Sequence, residues 1–342
     1  MALNQDVSSL KKEKQLTEEE FMISGLLGIL ILIAGLACLV KGGDWLVDGS
    51  VSIAKHFNVP EIVIGLTLVA FGTSAPELLV NIFAAIDGNG DIAFGNIIGS
   101  NIVNIGLILG VSLLFRDLVI KKTTTAFEVP LVILSALMVL ILASDMWLDG
   151  RTIVELSRSE GGILLLFFII FMIYNGFLAK QEGFEAEEDI KVVSLPWAIV
   201  FFITGLVLLI VGGKLTVTGA VSTARALGIP ERLIALTIVA VGTSLPEMAA
   251  SIAAARKGSS DIAVGNILGS NLFNVFFILG ISGLIRPIGI SAGIQRDIAF
   301  NLVFPLVVWI LMLAGKGKIS KKSGSILIVM YALYILQLGI LK

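Results

Sequence analysis

The 342-residue sequence contains little of what soluble enzymes and nucleic-acid-binding proteins depend on. Charged residues make up only 15% of the chain, and the formal net charge is −2, so no basic surface for a nucleic acid is predicted. The single cysteine, Cys38, excludes a disulfide within the chain, and the single histidine, His56, is too few for a zinc site. No His-Glu-x-x-His motif, nucleophile elbow or His/Asp dyad is present. We therefore expect neither an enzyme nor a resident cofactor.

Apolar sequence is abundant instead, at 56% hydrophobic residues. A membrane span needs roughly 20 mainly apolar residues. Ten segments of this kind follow a polar tail of residues 1–20, and short polar connections separate them. The ten segments cover approximately residues 22–42, 61–86, 92–115, 127–144, 161–179, 194–213, 232–255, 262–285, 297–314 and 324–341. The pattern predicts a multi-pass protein of the cell (inner) membrane, surrounded by the lipid bilayer.

The chain carries one long stretch twice. Residues 60–110 align with residues 230–280 without a gap, at a constant offset of 170, and 29 of the 51 aligned positions are identical. Each copy contains Gly-Thr-Ser-x-Pro-Glu, which ends at Glu77 or Glu247, followed by Gly-Ser-Asn. Identity at this level exceeds what two hydrophobic segments share through composition alone.

The repeat predicts the fold. Five segments per copy is an odd number, so the second copy enters the membrane in the opposite sense to the first. We predict an all-α polytopic membrane protein whose ten transmembrane helices form two inverted five-helix repeats. The repeats span residues 21–179 and 194–342, and a short acidic linker, residues 180–193, joins them.

Charge in the loops indicates the orientation. With the N-terminus outside, the inner loops hold 12 Lys and Arg and the outer loops between spans hold 6, although the tail and the last residue raise the outer number to 10. Because positive residues favour the inner side, the N-terminus is predicted to lie outside.

The two glutamates raise the question of a counter-charge. An ionised carboxylate in the hydrocarbon region costs at least a few kcal/mol unless a cation, a partner or water compensates it. Glu77 and Glu247 lie inside predicted spans, and no Lys or Arg lies within the core of the surrounding segments. A bound cation is the natural counter-charge, and a proton is the alternative.

Helical spacing predicts which groups join each glutamate. Residues three and four positions earlier share its face, with one further residue a turn back. These residues are Ser74, Thr73 and Ala70 for the first copy, and Ser244, Thr243 and Ala240 for the second. Pro76 and Pro246 also leave the carbonyl groups of Gly72 and Gly242 without their usual donors.

The next segment of each copy adds a polar stripe. Its residues follow at i, i+4 and i+8, and they are Asn96, Ser100 and Asn104 in the first copy and Asn266, Ser270 and Asn274 in the second. Small and polar residues also join membrane helices. Asn96, Asn101, Asn266 and Asn271 are therefore as consistent with packing or a hinge as with ion binding.

An all-oxygen site selects hard ions, which leaves Na⁺, Ca²⁺, Mg²⁺ and H⁺ open. Two carboxylates balance one divalent ion, and kinked helices suit the flexible cage of calcium better than the tight octahedron of magnesium. A cation channel on the same duplicated fold is a further alternative, although the chain has no arginine-rich voltage-sensor helix.

These residues resemble the cation/calcium exchanger superfamily, in particular the prokaryotic sodium/calcium exchangers. The two copies of Gly-Thr-Ser-x-Pro-Glu and Gly-Ser-Asn look like that family's alpha-repeats, and the resemblance covers all ten segments. It implies an antiporter that exchanges Na⁺ for Ca²⁺ by alternating access, binds both ions as substrates and works as a monomer. The second, third, seventh and eighth segments would hold the ions, and the first and sixth would slide across them as a gate.

The resemblance also implies a set of ligands. Calcium would bind Glu77, Glu247 and the backbone carbonyls of Thr73 and Thr243. Sodium would bind Ala70, Ser74 and Ser100 in one half and Ala240, Ser244 and Ser270 in the other, while Asn104 and Asn274 would complete the central layer.

Two differences between this chain and other branches of the superfamily narrow the set of ions that we expect it to transport. Some members, including the potassium-dependent branch, have aspartate at the position of Asn274, so asparagine there favours potassium independence. The proton/calcium branch typically reads Gly-Asn where this chain reads Gly-Thr, so proton/calcium exchange is the second interpretation.

Asp44 and Asp48 of the first copy correspond to Lys214 and Thr218 of the second. That mismatch predicts a place in the gating helix near water rather than in the ion site.

Overall fold

The structure is a computed structural model that describes residues 18–144, 155–181, 192–227, 229, 240–290 and 294–340. Most of these residues are helical, and the helices are numbered here in chain order. Their bounds are α1 Glu18–His56, α2 Glu61–Thr73, α3 Ala75–Asp87, α4 Gly90–Phe115, α5 Thr124–Leu142, α6 Arg158–Gln181, α7 Leu195–Ala226, α8 Ala240–Gly242, α9 Leu245–Lys257, α10 Ser260–Ile285, α11 Gln295–Ala314 and α12 Lys321–Ile340.

Seven of the described helices are long and apolar enough to cross a membrane: α1, α4, α5, α6, α7, α10 and α11. The bent pair α2 and α3 makes an eighth span if the two helices are counted as one. Predicted segments 232–255 and 324–341 lie partly outside the described residues. The ten spans and their inverted arrangement therefore stay predictions, as do the tail 1–20 and the linker 180–193, which lie largely outside the described part.

Two helices form the centre of the molecule. In their most apolar windows, 78% of the residues of α4 and 83% of those of α10 are buried, compared with 22% to 39% in the other five spans. The outer helices present large apolar side chains outward, among them Leu30, Ile33 and Leu166. Because lipid tails solvate such side chains, this distribution fits a bundle whose two polar-striped helices are shielded from the bilayer.

The long helices α1 and α7 pack antiparallel along a stripe of small residues spaced by seven. On α1 these are Gly28, Gly35, Gly42 and Gly49, and opposite them on α7 lie Gly219, Gly212, Gly205 and Ala198. A methyl group added at Gly42 would lie 2.9 Å from the carbonyl oxygen of Gly205, and one added at Gly205 would lie 2.8 Å from that of Gly42. Without side chains between them the two backbones touch, so α1 and α7 form one rigid pair.

Glycines also seat α2 on the central helix α10. A methyl group added at Gly265 would lie 3.0 Å from the carbonyl oxygen of Ile62, and one added at Gly269 would lie 2.7 Å from that of Leu66. This close crossing holds the end of α2, where Ala70 and Thr73 lie, against the polar stripe of α10.

Short pieces of other structure interrupt the helices. Residues Val103–Leu109 of α4 and Phe273–Leu279 of α10 are π-helical at equivalent positions of the two copies. The described residues also contain four two-residue strands between helices. Strand β1 Leu118–Val119 pairs with β4 Lys318–Ile319, and β2 Glu155–Leu156 pairs with β3 Ile288–Gly289, both antiparallel.

The loop at β1 carries an ion pair. Asp117 lies 2.9 Å from the ammonium of Lys318 and accepts a 2.9 Å hydrogen bond from the backbone N–H of Lys321. These two neighbours hold the pKa of Asp117 below its usual value of 3.8. The carboxylate therefore fastens the loop after α4 to the loop before α12.

Candidate ion-binding site

The site begins at two breaks in the helices. The axes of α2 and α3 meet at 50°, and Ser74 stands at the break with φ −81° and ψ 8°. Ser244 stands between α8 and α9 with nearly the same backbone angles, φ −88° and ψ 7°. Pro76 and Pro246 follow in the first turns of α3 and α9, where a missing N–H costs nothing. Each helix is therefore broken at the serine two residues before its proline.

Each break places a carboxylate in the first turn of a new helix. Glu77 and Glu247 lie in the first turns of α3 and α9, and each is only 1% exposed. The unpaired backbone N–H groups of a first turn favour negative charge by about 0.3–1 kcal/mol, which offsets a small part of the cost of burial.

The two copies of the motif meet at these glutamates. Ser74 donates a 2.9 Å hydrogen bond to Oε1 of Glu247, and Ser244 donates a 3.2 Å hydrogen bond to Oε1 of Glu77. The spacing predicted that each serine joins the glutamate of its own copy, and that is wrong. Each serine occupies the break instead of a helical turn, so it does not share a face with its own glutamate and reaches across to the other one.

The next residues complete the first copy's side of the site. Ser100 on α4 donates a 3.4 Å hydrogen bond to Oε1 of Glu77 and lies 3.4 Å from the hydroxyl of Ser244. Thr73 donates to the side-chain oxygen of Asn266 at 3.1 Å and to the carbonyl oxygen of Ala70 at 3.4 Å. Of these residues, Ser100 contacts Glu77 directly, whereas Thr73 contacts Asn266 and the carbonyl of Ala70.

The second copy's side is less enclosed. Ser270 on α10 is fully buried, whereas Thr243 is only partly buried and lines a cavity. Ala240 begins α8, and its side chain lies outside the described part of the chain. The cavity measures about 410 Å³ and lies between α3, α7 and the residues around Thr243. The second copy's side of the site thus borders this cavity at Thr243.

Four asparagines form a closed layer between the central helices. Asn101 and Asn271 donate to each other's backbone carbonyl groups at 3.5 and 3.4 Å. Their side-chain oxygens accept 3.0 Å hydrogen bonds from Asn274 and Asn104, respectively. Because the amide nitrogens of Asn104 and Asn274 are held in this way, their oxygens point elsewhere. Asn101 and Asn271 are positioning residues, and the sequence left this role open.

Asn96 and Asn266 fit the packing interpretation better. Asn96 donates to the side-chain oxygen of Asn81 at 2.7 Å, and Asn266 donates at 2.8 Å to the hydroxyl of Ser251, which occupies the position equivalent to Asn81. Asn266 also donates to the backbone carbonyl of Glu247 at 3.3 Å. These amides join α3 to α4 and α9 to α10, and they keep the glutamate-bearing helices against the centre.

The decisive feature is a set of buried oxygen atoms that accept no hydrogen bond within the described part of the chain. Five of them belong to predicted ligands: Oε2 of Glu77 and of Glu247, Oδ1 of Asn104 and of Asn274, and the hydroxyl oxygen of Ser270. A buried polar atom without a partner costs about 1–3 kcal/mol, and more if it is charged. Among the described residues no Lys or Arg forms an ion pair with either glutamate.

The chemistry of these oxygens fits a hard cation. Four of the five are acceptors with no proton to donate when the glutamates are ionised, so they cannot satisfy one another. Carboxylate, amide and hydroxyl oxygens are the ligands that Ca²⁺ and Na⁺ take in proteins. The described residues contain no cluster of three or more His, Cys, Asp or Glu that could hold a metal ion, so the two carboxylates depend on neutral oxygens to complete a cage.

Comparison with known proteins agrees with this chemistry. The sequence model of the family described as "Sodium/calcium exchanger protein" matches residues 27–177 and again residues 197–338. The sodium/calcium exchanger MaX1 of Methanosarcina acetivorans is 32% identical over an alignment 345 positions long, which covers 90% of this chain and 97% of that protein. The inner membrane protein YrbG of Escherichia coli is 35% identical over 298 residues, covering 83% of this chain and 89% of that protein.

A solved structure of the sodium-calcium exchanger NCX_Mj, soaked with 2.5 mM Na⁺ and 0.1 mM Ca²⁺, has the same fold. Its TM-score to this protein is 0.77 at 32% identity, and the match covers 92% of this chain and 99% of that one. The resemblance drawn from the motifs and the all-helical multi-pass membrane fold are confirmed. The chain belongs to the sodium/calcium exchanger protein family.

Proposed function

We propose that the protein is an antiporter that exchanges Na⁺ for Ca²⁺ across a membrane by alternating access, with both ions bound as substrates. The observation that carries this proposal is the set of five buried oxygens without a hydrogen bond around two glutamates without a counter-charge. Family membership and the match to NCX_Mj support the same class of transport.

The ligands follow the two copies of the motif. Calcium takes the carboxylates of Glu77 and Glu247 and the carbonyl oxygens of Thr73 and Thr243. Sodium takes flanking positions, and the residues assigned to them are Ala70, Ser74, Ser100, Ala240, Ser244 and Ser270. Asn104 and Asn274 complete the central layer. The hydrogen bonds from Ser74 to Glu247 and from Ser244 to Glu77 support one shared site rather than two separate ones.

Obligate exchange follows from charge. The empty site keeps two negative charges, and moving them past an apolar barrier is costly. Either one Ca²⁺ or a set of Na⁺ ions neutralises the glutamates, so only loaded forms change conformation readily. The change itself is a sliding of the rigid pair α1 and α7 across the ion-binding helices. The ten spans form two inverted repeats, residues 21–179 and 194–342. Because the repeats are alike, the inward-facing and outward-facing states have similar geometry.

Several finer features belong to the same proposal. With amides at Asn104 and Asn274, the site has two central carboxylates, which one Ca²⁺ balances without K⁺. Transport is therefore independent of K⁺. The protein works as a monomer in the inner membrane with its N-terminus outside, which agrees with the distribution of Lys and Arg among the loops.

The test is uptake of ⁴⁵Ca²⁺ into proteoliposomes loaded with Na⁺ and diluted into Na⁺-free medium. We expect uptake that vanishes in vesicles loaded with K⁺ alone and does not change when K⁺ is added outside Na⁺-loaded vesicles. Uptake driven by an imposed pH gradient and not by Na⁺ would replace the proposal with proton/calcium exchange. Uptake that needs no counter-ion would make the protein a channel.

A further inference from the structure

An ion pair fastens the moving pair of helices to the ion-binding helices on one side of the site. The ammonium of Lys257, in the last turn of α9, lies 2.6 Å from Oδ1 of Asp48 and 4.0 Å from Oδ1 of Asp44, both on α1. It also donates to the backbone carbonyl oxygen of Asp44 at 2.7 Å. Beside it α1 touches α9, since a methyl group added at Gly43 would lie 2.8 Å from the carbonyl oxygen of Ala249. This contact, here called the first latch, closes that side.

The repeat supplies an equivalent for each residue of the first latch. At an offset of 170, Lys257 corresponds to Asp87, Asp44 to Lys214 and Asp48 to Thr218. The ammonium of Lys257 is thus replaced by a carboxylate, which accepts. The carboxylate of Asp44 is replaced by an ammonium, and that of Asp48 by a hydroxyl, both of which can donate. The three substitutions together keep a complementary contact with its polarity reversed. Independent drift of three surface positions would not be expected to produce this.

The equivalent residues are apart in this structure. The cavity of about 410 Å³ lies between α3 and α7, and Leu79, Gly213, Lys214 and Thr218 line it. Lys214 and Asp87 are both exposed, and neither forms an ion pair within the part of the chain that the structure describes. Arg286 lies at the last turn of α3, where it donates to the carbonyl oxygen of Ile86 at 3.5 Å.

We propose that Asp87 pairs with Lys214, supported by the hydroxyl of Thr218, to form a second latch of reversed polarity. It closes the cavity side when the first latch opens, and these residues thereby position the helices for each half of the transport cycle. This inference rests on the alternating access of the proposed function. The second latch joins α7 to α3 as the first joins α1 to α9.

The two latches differ in the apolar contact beside them. Where the first has Ala249 and Ala253, the second has Leu79 and Phe83, which are 56% and 61% exposed here. Closing the cavity therefore buries larger side chains at a wider helix separation, and the long side chain of Lys214 spans that gap. An exposed ion pair shifts an equilibrium by about fivefold or less, so each latch biases the states without locking either one.

Paired cysteines test the second latch without requiring transport. In a Cys38→Ser background, Asp87→Cys with Lys214→Cys is treated with a bifunctional thiol reagent about as long as a lysine side chain, because a direct disulfide would not span the gap that Lys214 bridges. Cross-linking is read by mass spectrometry of the peptides that contain the two cysteines. Asp48→Cys with Lys257→Cys is the positive control, because that pair is in contact here. Asp87→Cys with Lys257→Cys joins the two latches and is the negative control.

We expect the test pair to cross-link in Na⁺ or Ca²⁺ medium, and the negative control to stay open. Failure of the test pair under every ion condition, while the positive control cross-links, would overturn the second latch. Loss of Na⁺-driven Ca²⁺ uptake in the wild-type protein would count against the proposed function instead, and cross-linking would still be measurable.

Charge exchange gives a second readout. Lys214→Asp and Asp87→Lys each place like charges opposite one another, and each is expected to slow Na⁺-driven Ca²⁺ uptake by about threefold. The double variant restores the pair with its polarity inverted and should recover the rate. Two additive losses in the double variant would contradict a direct contact.

Discussion

The close contact of α1 with α7 makes Gly35 a sensitive position of the moving pair. A methyl group added there would lie 2.5 Å from the backbone nitrogen of Thr216 and 2.5 Å from its hydroxyl oxygen. Ordinary contacts begin at 3.4 Å, so Gly35→Ala requires the helices to part by about 1 Å, and backbone atoms cannot move aside singly. Overpacking of this kind costs about 1–3 kcal/mol.

The expected result is a lower thermal stability of Gly35→Ala in detergent, followed by size-exclusion chromatography after heating. Gly176→Ala on α6 is the matched control, because its added methyl group would meet no atom of the described residues within 4 Å. Alanine is favoured over glycine in a helix by about 1 kcal/mol, so the control should be unchanged or slightly more stable.

A rescue variant separates the two clashes at Gly35. Thr216→Ala removes the hydroxyl oxygen but leaves the backbone nitrogen in place, so the double variant should recover only part of the loss. Equal stability of Gly35→Ala and Gly176→Ala would refute the reasoning, because it would mean that α1 and α7 do not touch along their glycines.

Two further predictions concern Asn101, which is not a predicted ion ligand, and Asp117, which lies in a loop between helices. Asn101→Ala removes no predicted ligand, but it frees the amide of Asn274. Because a hydrogen bond of about 1–2 kcal/mol is lost, we expect the apparent affinity for Ca²⁺ in uptake assays to fall about tenfold. An unchanged affinity would contradict the positioning role of Asn101. For Asp117, whose pKa is lowered, the stabilisation is present above the usual value of 3.8 and is lost as pH falls through the lower folded value. Asp117→Asn should therefore lower the unfolding temperature at pH 7, and its difference from the wild type should disappear in acid below that value; a difference that persists there would show that charge is not the cause.

Much of the fold was predictable because hydropathy and proline act locally. The apolar segments coincide with described helices, and the bend at Ser74 follows from a proline that lacks a backbone N–H. The ten-span count stays a prediction where the segments leave the described residues. The seven-residue spacing of glycines from Gly28 to Gly49 was present in the sequence and would have indicated the close pairing of α1 with α7.

Other parts of the site depend on contacts that no local pattern contains. Ser74 serves Glu247 rather than Glu77 because the helix break turns it toward the other copy, and that requires the two copies to face each other. The π-helical turns that carry Asn104 and Asn274 have no compositional signal, and they change which side of the helix these residues occupy. The assignment of all twelve residues as ion ligands remains a prediction.

The central claim is that Glu77 and Glu247 are two halves of one site whose charges the transported ions neutralise. Its most direct test is the initial rate of ⁴⁵Ca²⁺ uptake into Na⁺-loaded proteoliposomes for Glu77→Gln and Glu247→Gln, beside Asp91→Asn, which changes an exposed carboxylate on α4. We predict that each glutamine variant loses at least about 30-fold in rate, because a buried charge partner is removed, while Asp91→Asn keeps the wild-type rate. Wild-type uptake by either glutamine variant would contradict the account.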